Sequence, residues 1–264
     1  MKRMFSFITV KWNPIVGCTH LCVYCWARIL AAGKLRSSPR YHDGFNPKLV
    51  EKEFAKRFKA GAFVFLTDMG DAFCDGVPSE WILKVLEVVR KSPDARFLCL
   101  TKNPQRYLEF ASTFPSNVVL GATIESNRDY RQRSRAPSQS SRLAAMQEMI
   151  NIRSDLSCFI SVEPALKFDL DPFVSQLRVI HPWAVAIGYD NYPRTLPEPA
   201  SAETEALIKE LEKSTQVYRK TIRPAWWENS RAHPKPANAR SRAPRHRASF
   251  PCEYQPKQGN QGHA

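Results

Sequence analysis

Six short, almost continuously apolar runs alternate with helix-like stretches along this sequence and predict an α/β fold built on a parallel sheet. The runs are FSFITVKW (5–12), AFVFLTD (62–68), RFLCLTK (96–102), VVLGATI (118–124), CFISVE (158–163) and AVAIGY (184–189). Each is rich in β-branched or aromatic residues, the pattern of strands covered on both faces. They recur every 25 to 40 residues or so, which leaves room for a crossover helix between parallel neighbours. VYRKTIR (217–223) is the candidate for a seventh. Such a series suits a full or partial α/β barrel, with a doubly wound open sheet as the alternative. Both place ligands at the carboxyl ends of the strands.

The helices announce themselves by caps and stripes. Asn46-Pro47 reads as a cap followed by proline in the first turn, with Gly61 after the last one. Ser79 is placed to cap a helix whose Ile82, Val85, Leu86 and Val89 share a face. Asn103-Pro104 and Asp171-Pro172 repeat the cap-plus-proline pattern. Leu143, Met146, Met149 and Ile150 form another stripe, and Leu207, Ile208 and Leu211 the last; these read as core packing.

The 264 residues, 43% of them hydrophobic, suffice for a sizeable core. The opening MKRMFSFITVK lacks the long apolar stretch of a secretory signal, and no run approaches a membrane span. The expected setting is therefore soluble, reducing and cytoplasmic, where the odd count of seven cysteines speaks for metal binding or chemistry over disulfides. The net charge is +14. Past Trp227 the chain is rich in Pro, Arg, Ser and Asn without hydrophobic periodicity, so residues 1–227 are read as the folded domain and 228–264 as a disordered basic tail. That tail is either a solvated appendage or a non-specific nucleic-acid contact.

Three of the cysteines fall in eight positions, GCTHLCVYC, with spacing Cys18-x3-Cys22-x2-Cys25, just after the first strand. Clustered thiolates select zinc, copper(I) or iron–sulfur clusters. A structural zinc site needs four protein ligands, and His20 cannot easily join all three cysteines on one zinc within so short a loop. A 4Fe–4S cluster takes four cysteines when closed. Three leave one iron without a protein ligand, and an open metal position points to catalysis.

This spacing, with aromatic Tyr24 before the last cysteine, resembles the signature of the radical S-adenosylmethionine (SAM) enzymes. The surrounding WNPIVGC (12–18), LTKNPQRY (100–107), ATIESNRDY (122–130), SVEPALKFDLD (161–171) and IGYDNY (187–192) resemble an uncharacterised phage- and prophage-associated group of that superfamily, related to spore photoproduct lyase-like proteins. The resemblance implies a partial (β/α)6-type TIM barrel and a 4Fe–4S cluster on Cys18, Cys22 and Cys25. It implies SAM on the open iron and a 5′-deoxyadenosyl radical that abstracts hydrogen from substrate. It further implies a low-potential electron donor such as a flavodoxin or ferredoxin.

For SAM itself the resemblance nominates five residues. Tyr24 would pack near the adenine. Gly70 and Asp71, in Asp68-Met69-Gly70-Asp71, stand where the superfamily has a Gly-Gly-Glu-like stretch for the amino group, with one glycine missing and a shorter acid. Glu125 and Ser126 would meet the ribose hydroxyls, helix capping being the plainer role for Ser126. Lys102 ends the third strand and points a cation at the same face.

Glu163 and Tyr189, at later strand ends, are candidates for substrate contact or hydrogen relay. Cys74 is a candidate relay thiol, or a fourth ligand that would close the cluster and leave an electron-transfer protein. Cys99 and Cys158 read as core. The basic stretch Arg128–Arg135, followed by Arg142, is either solvated or overhangs the mouth to bind a nucleic acid or nucleotide. A non-enzymatic nucleic-acid-binding protein with a structural metal remains the reading from another class.

Overall fold

The computed structural model describes residues 4–192 and 195–229. In chain order the elements are β1 (Val10–Trp12), β2 (Ile15–Val16), α1 (Trp26–Ala32), β3 (Lys48–Leu49), β4 (Phe63–Leu66), α2 (Ser79–Arg90), β5 (Arg96–Thr101), α3 (Gln105–Glu109), β6 (Val118–Thr123), α4 (Gln139–Ile152), β7 (Ser157–Val162), α5 (Leu170–Val179), β8 (Ala184–Ile187), α6 (Ser201–Glu212), β9 (Gln216–Arg219) and α7 (Trp226–Asn229). Seven strands form one sheet in the order β1-β4-β5-β6-β7-β8-β9, every pair parallel. A doubly wound sheet reverses its strand order at a switch point; this one never does. The fold is a partial α/β barrel, curled and open between β1 and β9.

The strands carry two sets of side chains, as pleating requires. Val64, Leu66, Phe97, Cys99, Leu120, Ile160, Val162, Val185 and Ile187 belong to the main core, which also takes in the helix stripes on α2, α4, α5 and α6. Phe63, Phe65, Leu98, Val119, Phe159, Ala184 and Ala186 form a second core. Because both faces are covered, the runs read as continuous rather than alternating.

The lid on the inner face comes from the chain's own beginning. Of the run 5–12 only Val10–Trp12 is strand. Phe5 and Ile8 join the second core, and the Phe7 ring lies 4.9 Å from those of Phe63 and Tyr218. An open barrel leaves its concave face short of cover, and burying these aromatic rings there is favourable.

The helix expected after Asn46-Pro47 does not form. Its place holds β3 and a short 3-10 turn, Glu51–Ala55. The backbone is needed elsewhere: β3 pairs antiparallel with β2, Val50 N donates to Pro14 O (2.7 Å), and Cys18 N donates to Phe45 O (2.8 Å). The segment clamps the entry to the cysteine loop. Ser79 begins α2 rather than capping it, and Asp171 and Pro172 lie inside the first turn of α5. Cys99 and Cys158 are buried in their strands, and burial pushes both thiols up to about 12. No helix among the described residues is long and apolar enough to cross a membrane. The expectation of a disordered tail falls, past Asn229, outside the described residues.

Candidate functional site

A cavity of about 1140 Å³ opens at the carboxyl ends of the strands, and all three clustered cysteines line it. Two glycines set their loop. Gly17 (φ +84°) forms a parallel bridge with Gly70; Gly17 N donates to Met69 O (3.0 Å) and Asp71 N to Gly17 O (3.1 Å). A Cβ on Gly70 would lie 2.5 Å from Gly17 O, and one on Gly17 only 2.2 Å from Asn46 O. The close approach demands glycine at both positions. It lays Cys18 beside the loop after β4.

Beyond Cys18 the loop is fixed by polar contacts. His20, almost fully buried, bonds through Nε2 to Asp71 Oδ2 (3.0 Å). Asp71 also accepts from Phe73 N, Lys102 N and Thr101 Oγ1. Cys18 Sγ, His20 and Asp71 have ligand-type atoms within 4.8 Å of one another. The histidine and carboxylate are already committed to each other, however, and form a hydrogen-bond network. Sequence reasoning missed this pair, which two positions separated by 51 residues do not advertise. Asp71 therefore lines the cavity while its oxygens are filled by protein donors. Through these bonds it ties the cysteine loop to the end of β5.

The thiols sit in donor-rich surroundings. His20 N donates to Cys18 Sγ (3.4 Å), Arg28 N donates to Cys25 Sγ (3.3 Å), and Cys22 Sγ lies 3.1 Å from Ser134 Oγ. The Cys18 thiol is pushed up by a hydrogen bond with Cys74 and then by burial; burial pushes up Cys25. Cys74 is fully buried and does not line the cavity, and its thiol is hydrogen-bonded to that of Cys18.

Tyr24 is held rigidly. Its hydroxyl donates to Glu125 Oε1 (2.5 Å), and Lys102 Nζ lies 5.1 Å from its ring centroid. Glu125 is completely buried and also accepts from Lys102 Nζ (2.5 Å), Arg142 Nη1 (2.8 Å) and Gln139 Nε2 (3.2 Å). Burial works to raise its pKa, but Arg142 and Lys102 outweigh it and hold the carboxyl at about 2. Neither Glu125 nor Ser126 lines the cavity. Ser126 Oγ donates to Lys167 O (2.7 Å) and accepts from Arg128 N (3.0 Å), closing a local turn with no helix behind it to cap. The polar atoms of both are engaged by protein groups. Arg142, expected in a basic loop, is instead buried on α4 as the partner of Glu125.

The rest of the basic stretch is also displaced from its expected place. No residue from Arg128 to Arg135 lines the cavity. The segment straps the outside of the cysteine loop, with Val23 N donating to Arg133 O (3.0 Å), Arg135 N to His20 O (2.6 Å) and Ser134 Oγ to His20 O (3.3 Å).

Strand order puts the later strand ends across the rim from the cysteines. Glu163, Tyr189 and Lys220 line that side. Burial raises the Glu163 carboxyl, partly offset by Lys220, whose Nζ is 3.9 Å away. The Tyr189 hydroxyl bonds to Thr204 Oγ1 (2.6 Å). Thr67, at φ +60°, also lines the cavity, and its Oγ1 is the one buried side-chain polar atom without a partner among the described residues.

The family model for proteins of unknown function DUF5131 matches residues 3–188, well over half the chain. The chain belongs to the DUF5131 family. No curated protein matches this DUF5131 chain. Among solved structures, a mutant spore photoproduct lyase with dinucleoside spore photoproduct aligns over 80% of this chain and 76% of its own, at TM-score 0.58 and 12% identity. A second spore photoproduct lyase structure, with bound AdoMet and the dinucleoside, gives TM-score 0.53 at 12% identity over 77% and 60%. HydG, a maturase of the FeFe-hydrogenase, gives 0.51 at 11% over 80% of this chain and 50% of its own. These are radical SAM enzymes, and at such identity the likeness establishes a shared fold.

Proposed function

We propose that this DUF5131 protein is a radical SAM enzyme. The observation that carries the reading is the set of three free thiols, Cys18, Cys22 and Cys25, facing one cavity at the carboxyl ends of a parallel partial barrel. The residues fit a 4Fe–4S cluster and SAM. The donors are soft thiols, with N–H···S bonds to Cys18 and Cys25, the other cysteines among the described residues lie outside the cavity, and the orphaned Thr67 hydroxyl awaits a polar partner. When bound, cluster and SAM supply a one-electron reductive cleavage and a carbon radical that takes hydrogen from substrate.

The chain's own residues bind, orient and shield. Thiols raised by burial lose their protons to metal on loading, which couples uptake to pH. Gly17, Gly70, His20 and Asp71 fix the loop. Tyr24, clamped by Glu125 and Lys102, offers a rigid flat face for an adenine. Glu163, Tyr189 and Lys220 form the wall opposite the cysteines and are assigned to substrate. Walls of this kind keep water from a reactive centre. The need for free thiols favours a reducing compartment.

Anaerobic reconstitution with iron and sulfide tests the reading. The expected result is about four irons per chain, a spectrum that changes on adding SAM, and 5′-deoxyadenosine after reduction. Stoichiometric zinc without iron uptake overturns it in favour of a structural metal site.

A further inference from the structure

We propose that the wall opposite the cysteines takes a neutral substrate group presenting an N–H and a C=O side by side on one edge, a lactam ring or a primary carboxamide. This rests on the radical SAM reading above, which makes the cavity a substrate site. Glu163 follows β7, Lys220 follows β9, and both line the cavity. Their side chains are only 23% and 22% exposed, so both charges are largely withdrawn from water. Yet Lys220 Nζ stands 3.9 Å from Glu163 Oε1, beyond hydrogen-bonding distance. Ser161 Oγ, 3.4 Å from Glu163 Oε2, makes at most a weak bond to the other oxygen. Other cations lining the cavity are spent on close partners. Lys11 reaches Asp68 at 2.5 Å, Lys102 reaches Glu125 at 2.5 Å, and Arg219 is bonded to Glu205. Glu163 and Lys220 therefore keep an open acceptor and an open donor next to each other.

The gap between them is set by the sheet. β8 runs between β7 and β9, and Gly188 follows it. A Cβ at Gly188 would lie 2.8 Å from Lys220 Cβ and 3.4 Å from Glu163 Oε1, so a side chain there would crowd both. The backbone around this glycine is tied on each side. Gly188 N donates to Val162 O (3.1 Å), Ala165 N to Gly188 O (2.8 Å) and Lys220 N to Ile187 O (2.8 Å). Lys220 Nζ also lies 4.8 Å from the Phe5 ring centroid, a cation–π contact that holds the ammonium in place.

Charge and geometry together select the occupant. A phosphate or carboxylate meeting Lys220 would face Glu163, and an ammonium meeting Glu163 would face Lys220. A zwitterionic amino acid matches both charges, but it would give up its hydration to a cavity also lined by Phe5, Phe65, Leu100 and Val217. A peptide backbone fails on geometry, since a trans amide turns its N–H and C=O to opposite edges. A lactam or primary carboxamide holds both on one edge, with N and O about 2.3 Å apart from standard bond lengths. Two nearly parallel hydrogen bonds of about 2.9 Å then reach Glu163 and Lys220 across their 3.9 Å spacing.

The test is a ligand-observed NMR titration of the full chain, without iron, against two probes. Uridine carries the lactam edge, and N-acetylasparagine methylamide carries the carboxamide. Each is compared with the form whose lactam or side-chain amide nitrogen is fully methylated. At least one probe should saturate, which identifies the source of the edge, and its methylation should weaken binding about tenfold or more. Lys220→Met, Glu163→Gln and Gly188→Ala should each weaken the same probe by a similar factor. The proposal is overturned if neither probe binds, if methylation has no effect, or if affinity is unchanged in both Lys220→Met and Glu163→Gln. Saturation by alanine or inorganic phosphate in place of both probes overturns it too, and would assign the pair to a charged group. Binding is read without a cluster. Failure of iron uptake in reconstitution therefore counts against the enzyme reading, and failure of probe binding counts against this subsite alone.

Discussion

Replacing Glu125 by glutamine removes one negative charge from a completely buried cluster and leaves its shape almost intact. The carboxyl is held at about 2 against an ordinary value of 4.5. At about 1.4 kcal/mol per pH unit, that displacement corresponds to roughly 3 kcal/mol of stability contributed by the charged form. The figure agrees with the loss of about 3–5 kcal/mol expected when one partner of a buried ion pair is removed, here leaving Arg142 buried without its carboxylate. Urea denaturation of the full chain at pH 7 should therefore show Glu125→Gln destabilised by about 3 kcal/mol. The pH dependence has a definite sign. A depressed carboxylate contributes fully above its unfolded value and loses that contribution as pH falls through the folded one. Wild type should lose stability from about pH 4.5 down toward 2, and the glutamine variant should lack that part of the acid limb. Adding Arg142→Met to the variant should cost little more than Glu125→Gln alone, since the cation no longer has a charge to meet. A variant within about 1 kcal/mol of wild type at pH 7, or one with the same acid limb, would refute the reasoning.

Gly70→Ala brings a Cβ to 2.5 Å from Gly17 O, a backbone atom that cannot retreat. It should lower thermal stability by about 1–3 kcal/mol and reduce iron uptake, and an unaltered melting curve would contradict the close approach. Glu163→Gln should be more stable than wild type once the pH exceeds the raised value of the carboxyl. Burial raises the carboxyl, so wild-type stability relative to the variant falls as pH climbs from the ordinary carboxylate range through the raised value. Equal melting temperatures across that range would show the site to be better solvated. Cys25→Ser should abolish loading of a full cluster, whereas Cys74→Ala should retain it at a stability cost of about 1 kcal/mol. Iron analysis separates the two, and loss of iron in Cys74→Ala would make that thiol a ligand.

The strands were legible because parallel strands buried on both faces must be apolar throughout. The helix stripes were legible because one face of each meets that sheet. The thiols of Cys18, Cys22 and Cys25 were legible because a loop of eight residues brings ligands together by itself. What lay beyond the sequence depended on contacts between distant positions. Asn46-Pro47 carries a helix signal of local origin, yet its backbone is taken by pairing with Ile15 and Val16. Glu125 looked like a ligand contact because it ends a strand; Arg142, Gln139, Lys102 and Tyr24 fill it from three other segments. The arginines after Tyr130 looked like a mouth lining, and two backbone bonds to the cysteine loop turn them outward. By itself the sequence determined which strands form and which sulfurs share a loop, since both follow from periodicity and short spacing. Only the tertiary structure decided which charges are buried, which glycines touch and which face the strap presents, because those are set by where the curled sheet brings its strand ends together.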